Sequence, residues 1–219
     1  MKFIDIHTHN FSLQENTIKI INVFPLTNPF PAMQNGQIFS SGIHPWFINN
    51  YDTKELLQKI EHLLKTEKIK AIGECGLDAL KGADSKLQKE IFKQHIFLSE
   101  KYKCPLIIHC VKKYNEILFF KKQTKSKTPW IIHGFNSSVQ MMQQMVDAGI
   151  YLSFGSFLLK NIPKTKQLVA EIPAKYLFLE TDESNINIIE LYDKTANLKS
   201  MDLKDLKKQL YNNFLKIFS

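Results

Sequence analysis

The chain has 219 residues, enough for one domain whose core needs no cross-links. Its 44% hydrophobic and 23% charged residues exclude a disordered or low-complexity protein, and its three cysteines, an odd number, argue against a disulfide framework. The net charge of +8 arises from 29 lysines without one arginine, a bias that scatters positive charge and is compatible with a polyanionic partner without specifying one. In chain order, the first three apolar runs are Phe3–His7, Ile18–Phe24 and Gln37–Ile43, with connections too short for a full helical crossover. Residues 53–66 then place Leu56, Leu57, Ile60, Leu63 and Leu64 on one helical stripe, with Asp52 or Thr53 available as a cap. The run Ile69–Glu74 reads as a fourth strand, residues 86–103 as a second helix through Leu87, Ile91, Leu98 and Tyr102, and Pro105–His109 as a fifth strand. The lysine-rich stretch from Lys112 to Lys127 reads as a solvated helix face, and Trp130–His133 as a sixth strand.

Residues 137–148 run from a Ser-Ser cap to Gly149, a helix stop. The runs Ile150–Phe154 and Tyr176–Asp182 complete eight strands, separated by a short helix over 163–171 and followed by an amphipathic helix over 202–218. The runs are near-continuously apolar, as parallel strands buried on both faces must be. Eight such strands, alternating with helices from the fourth onward, predict an α/β fold: one domain over residues 1–219, a distorted TIM-type (β/α)-barrel with its first βα units shortened. No apolar run reaches bilayer length and no secretory signal opens the chain, so no membrane association and a cytoplasmic location are expected.

Barrels of this kind build their sites at the C-terminal ends of the strands. There this sequence puts His7 and, two residues on, His9, followed by His44, Glu74, His109, His133 and Asp182. Five of the seven histidines fall at such ends, which is why a shared site is expected. In His7-Thr8-His9 the imidazoles share one face of an extended segment and can chelate a cation, while a carboxylate such as Glu74 can bridge two cations. His109 and His133 would complete a second ion and Asp182 the first. Mixed imidazole and carboxylate donors suit zinc, manganese or iron better than calcium. Singly, each residue has a plainer reading: His44 packed beside Trp46, Glu74 capping a turn, Asp182 capping a helix. Jointly, the six candidate ligands point to metal. His95 shares an apolar stripe with Ile91 and Leu98 and reads as a core histidine, and His62 as a surface one. Cys75 and Cys110, each next to a candidate ligand, should face the opposite side of their strands as small core residues.

The segments 3–9 (Phe-Ile-Asp-Ile-His-Thr-His), 42–46 (Gly-Ile-His-Pro-Trp), 71–78 (Ala-Ile-Gly-Glu-Cys-Gly-Leu-Asp), 105–109, 131–135 and 179–182 resemble, in order, the motifs of TatD-type metal-dependent hydrolases, members of the amidohydrolase-like barrels. The closing segment with Asn213, Leu215 and Phe218 is similar to that family's last helix. The resemblance implies two divalent ions per chain (zinc, manganese or magnesium) and cleavage of phosphodiesters, typically as a deoxyribonuclease acting on DNA with no obligate protein partner. It implies that His7, His9 and Asp182 hold the first ion, that Glu74 bridges, that His109 and His133 hold the second, and that His44 touches the substrate phosphate. Asp182 is then expected to orient and deprotonate the attacking water. The sequence departs from the family pattern at Asn10, at Ser184 in place of a proline, and at Val111 in place of an arginine, where Lys112 or Lys113 would supply the missing charge. It is also shorter in its early region. An ester or amide hydrolase acting on a small or aminoacyl substrate, and a binding module with a structural metal, are the alternatives.

Overall fold

A computed structural model describes residues 1–218. Eight strands follow one another in a single parallel sheet in chain order: β1 Phe3–Thr8, β2 Thr17–Asn22, β3 Gln37–Ser41, β4 Ala71–Asp78, β5 Leu106–Val111, β6 Trp130–Ile132, β7 Tyr151–Phe154 and β8 Leu177–Leu179. The sheet closes where the main chain beyond β8 meets the end of β1. Thr8 and Asp182 form a parallel bridge, the His9 N–H donates to Asp182 O at 3.2 Å, and the Asp182 N–H donates to His7 O at 3.0 Å. The expected barrel is therefore present, with its ends joined by a short seam.

Helices α1 Thr53–Lys65, α2 Ser85–Tyr102, α3 Tyr114–Thr124, α4 Val139–Asp147, α5 Pro163–Glu171, α6 Ile188–Leu198 and α7 Leu203–Phe218 wrap the later strands. Asp52 caps α1 by accepting from the N–H groups of Lys54 and Glu55, Ser138 caps α4 by accepting from Met141, and Gly149 follows α4 with φ +74°. The helix α6 was not anticipated, although Ile188, Leu191, Tyr192 and Thr195 form its buried stripe and Asn187 caps it. No helix separates β1, β2 and β3. There, loop aromatics cover the outside of the sheet instead, with Phe11 and Phe30 packed on Phe39 at centroid distances of 6.2 and 5.8 Å.

Alternation along the strands makes two apolar layers. Ile4, Ile6, Ile20, Ile107, Ile131 and Phe178 fill the barrel, while Ile21, Ile72, Ile108, Ile132 and Leu152 face outward toward the helices. Cys75 and Cys110 belong to the outer layer, as expected. Phe214 and Ile217 of α7 close the N-terminal end of the barrel by joining the inner layer, and the buried Asn213 amide donates to Ala174 O at 2.8 Å and Leu177 O at 3.0 Å. His95 is wholly buried: its Nε2 accepts from the Ile43 N–H and its Nδ1 faces Ile91 O, and burial pushes its pKa down to about 4. None of the described helices is long and apolar enough to cross a membrane.

Candidate metal centre

At the opposite, C-terminal end the strands finish in imidazoles and carboxylates, and Glu74 lies at their centre. Its Oε1 is 2.8 Å from His133 Nε2, 3.0 Å from His109 Nδ1 and 3.1 Å from His44 Nε2. Its Oε2 is 3.4 Å from His7 Nε2 and 3.7 Å from His9 Nε2, and Asp182 Oδ1 lies at the same two distances from those nitrogens. The six residues expected to bind metal are thus brought together, with His44 beside them. The chain reaches this geometry through local devices. Inward and outward residues alternate at Ile108, His109 and Cys110, so the imidazole enters the barrel while both neighbours pack outside. Asp182 takes a left-handed φ of 51°, a conformation aspartate tolerates, just where the seam closes. The Glu74 N–H is held by the Asn22 side-chain oxygen at 2.8 Å.

Burial drives the electrostatics. Desolvation alone would raise the pKa of Glu74, but the charge of His133 and hydrogen bonds from His109, His133 and His44 hold it well below the usual carboxylate range. Desolvation and the charge of His133 oppose protonation of His7, yet Asp182 and Glu74 outweigh them and raise its pKa to about 9. For His44 burial dominates and lowers the pKa. Among the described residues, neither ring nitrogen of the fully buried His7 has a hydrogen-bond partner, and its 3.4 Å approaches to carboxylates are close but poorly aligned. A cation between His7 Nε2, His9, Glu74 and Asp182 would satisfy that nitrogen, so the donor set fits a metal ion. Three compact trios can each hold one: His7, His9 and Glu74; His7, His133 and Asp182; His44, Glu74 and His109. His133 Nε2 lies 2.8 Å from Glu74 Oε1, and His133 also falls within one trio with His7 and Asp182.

Two carboxylates were missed in the sequence. Asp78 accepts from His109 Nε2 at 3.1 Å, and Glu180, 1% exposed, lies 3.6 Å from His133 Nδ1 and accepts from the Gly134 N–H at 2.6 Å. Parity could have found them, since Asp78 is four residues from Glu74 and Glu180 two from Asp182, on the same faces. His44 packs edge-on against Trp46 at 4.8 Å, as expected of its neighbour, and also faces the cluster. Lys113 precedes α3 without a capping hydrogen bond from its side chain and pairs with Glu116 at 2.8 Å, and neither it nor Lys112 lines the cavities beside the cluster.

A closed parallel barrel with imidazoles and carboxylates massed at its C-terminal rim is the architecture of a metal-dependent hydrolase. Comparison with known proteins agrees, for the family model described as TatD related DNase matches residues 31–219, and the chain belongs to that family. An uncharacterized metal-dependent hydrolase of Buchnera aphidicola is 30% identical over 198 residues, covering 83% of this chain and 74% of the relative. One from Haemophilus influenzae is 25% identical with both chains covered in full. Among solved structures, the TatD homologue YjjV of Escherichia coli superposes with a TM-score of 0.82 at 20% identity, covering 99% of this chain and 97% of that one. A TatD family hydrolase of Entamoeba histolytica gives 0.80 at 19% identity, covering 99% and 98%.

Proposed function

We propose that this protein is a phosphodiesterase of the deoxyribonuclease type that works with two divalent ions, which the residues around Glu74 would hold. The observation that carries this reading is the placement of the two Glu74 oxygens, each facing its own set of imidazole nitrogens. His7, His9 and Asp182 would hold one ion and His109 and His133 the other, with zinc, manganese or magnesium as candidates. Such a pair supplies an acidified water and neutralises charge developing on a phosphoryl group. Asp182, 43% exposed at its side chain, would orient the attacking water and take its proton, and His44 would donate from Nε2 to a non-bridging phosphate oxygen.

The surroundings favour nucleotides over small esters. A cavity of about 350 Å³ adjoins the cluster and is walled by Phe24, Phe47 and Tyr51, with Phe24 and Tyr51 ring centroids 4.9 Å apart. Such a wall suits a planar base, whose stacking contributes about 1–3 kcal/mol. The test is to load the purified protein with zinc, manganese or magnesium and offer single-stranded DNA, an aryl phosphodiester and small carboxylic esters, with His133→Ala as the inactive control. Cleavage of the phosphodiesters is expected. Hydrolysis of the esters alone would overturn the nuclease reading in favour of an ester or amide hydrolase.

A further inference from the structure

Asp78 closes β4 and is 5% exposed. Its Oδ2 accepts from His109 Nε2 at 3.1 Å and from the Trp46 indole N–H at 2.7 Å, and its Oδ1 accepts from the backbone N–H groups of Leu80 at 2.7 Å and Lys81 at 3.0 Å. Four donors fill the roughly four acceptor sites of a carboxylate, leaving it no freedom to turn. Its main chain is clamped as well: the Asp78 N–H donates to Gln88 Oε1 at 2.8 Å, and Gln88 Nε2 donates back to Asp78 O at 3.0 Å.

An ionised carboxylate only accepts, so His109 carries a proton on Nε2, and Nδ1, which faces Glu74 Oε1 at 3.0 Å, is the nitrogen whose lone pair is freed for a metal when the ion displaces its proton. Trp46 carries the effect onward with the opposite sign. Its indole is tied to Asp78, and its backbone N–H donates to His44 Nδ1 at 3.1 Å. That nitrogen's lone pair is therefore occupied, and neutral His44 must carry its proton on Nε2, the nitrogen 3.1 Å from Glu74 Oε1. A cation on Nε2 would leave the ring with no proton at all. Although His44 lies within ligand distance alongside Glu74 and His109, its tautomer makes it a donor.

We propose that Asp78 is a positioning residue that, directly and through Trp46, sets opposite roles on two adjacent histidines: His109 offers a lone pair to a metal and His44 offers an N–H to a substrate oxygen. The inference rests on the metal-centre reading and not on the substrate, because its readouts are tautomers and ion binding. Long-range ¹H–¹⁵N spectra of histidine-labelled protein, with and without zinc, should show both rings protonated at Nε2, with zinc shifting His109 Nδ1 and leaving His44 a neutral Nε2–H ring. In Asp78→Asn the second equivalent of zinc should bind about 10–100-fold more weakly while the first stays within about twofold. Trp46→Phe should retain both equivalents but give His44 a mixture of tautomers. Zinc bound at His44 Nε2, or a folded Asp78→Asn that binds both equivalents like the parent or weakens both alike, overturns the proposal. Should Asp78→Asn fail to fold, the parent and Trp46→Phe spectra decide it. A protein that cleaves no phosphodiester but shows these tautomers keeps the inference and loses only the nuclease reading.

Discussion

The two ends of the barrel are made by the same eight strands and have opposite chemistry. At the N-terminal end, Phe214 and Ile217 of α7 join the inner apolar layer, and the buried Asn213 amide has both of its acceptors in reach. At the C-terminal end the strands finish in His7, Glu74, Asp78, His109, His133 and Glu180, and several buried polar atoms of that group have no partner among the described residues. Unpartnered buried polar groups cost stability. The contrast teaches that the first end holds the barrel shut with apolar packing and satisfied hydrogen bonds, whereas the second gathers buried donor atoms that a cation would satisfy. If so, damage at one end should be separable from damage at the other.

The largest effect should come from Asp182→Asn, which keeps the shape of the side chain and removes its basicity. Turnover on a phosphodiester should fall about 10²–10⁴-fold with little change in melting temperature, and parental rates would remove Asp182 from the chemistry. Nearly as large, at the other end, Phe214→Ala should cost about 3–5 kcal/mol in urea unfolding. The folded fraction should still bind its full complement of zinc, and a lost equivalent would show that the two ends are coupled. Proton competition comes next. His7, with a pKa raised to about 9, and His133, also raised well above the usual histidine range, hold protons in the metal-free protein that an ion must displace. Zinc affinity should therefore climb as pH rises from about 6 to about 9, where acid favours the protonated rings, and a flat titration would contradict this electrostatic account. The smallest effect belongs to Lys113→Ala, below about twofold on turnover, since Lys113 already pairs with Glu116 in a partly exposed bridge. A tenfold loss would instead make that lysine the substitute for the absent arginine.

Much of this was legible in the sequence because parallel strands buried on both faces leave unbroken apolar runs, and six of the eight runs stop at or just before a residue with a metal-binding side chain. The helix-poor start was legible too, from the short connections around Ile18–Phe24. What escaped depends on contacts between distant segments. Parity puts Asp78 on the same face as Glu74, but that it reaches His109 and Trp46 follows from how β4, β5 and the segment after β3 meet at the rim, which parity along one strand does not encode. Glu180 was passed over because a carboxylate two residues before a candidate ligand looks like part of a motif until its burial is known. Which way Lys112 and Lys113 point was equally hidden, because both lie where β5 gives way to α3 and the backbone turns, with φ +54° at Lys112.

The seam between β1 and the chain beyond β8 has a temporal consequence. His7 and His9 are synthesised more than 170 residues before Asp182, which bonds to both of their main chains. On the proposed centre, a growing chain can display five of the six ligands and still lack the closure that aligns them. Acquisition of metal would then follow closure of the seam and mark a barrel whose ends have met.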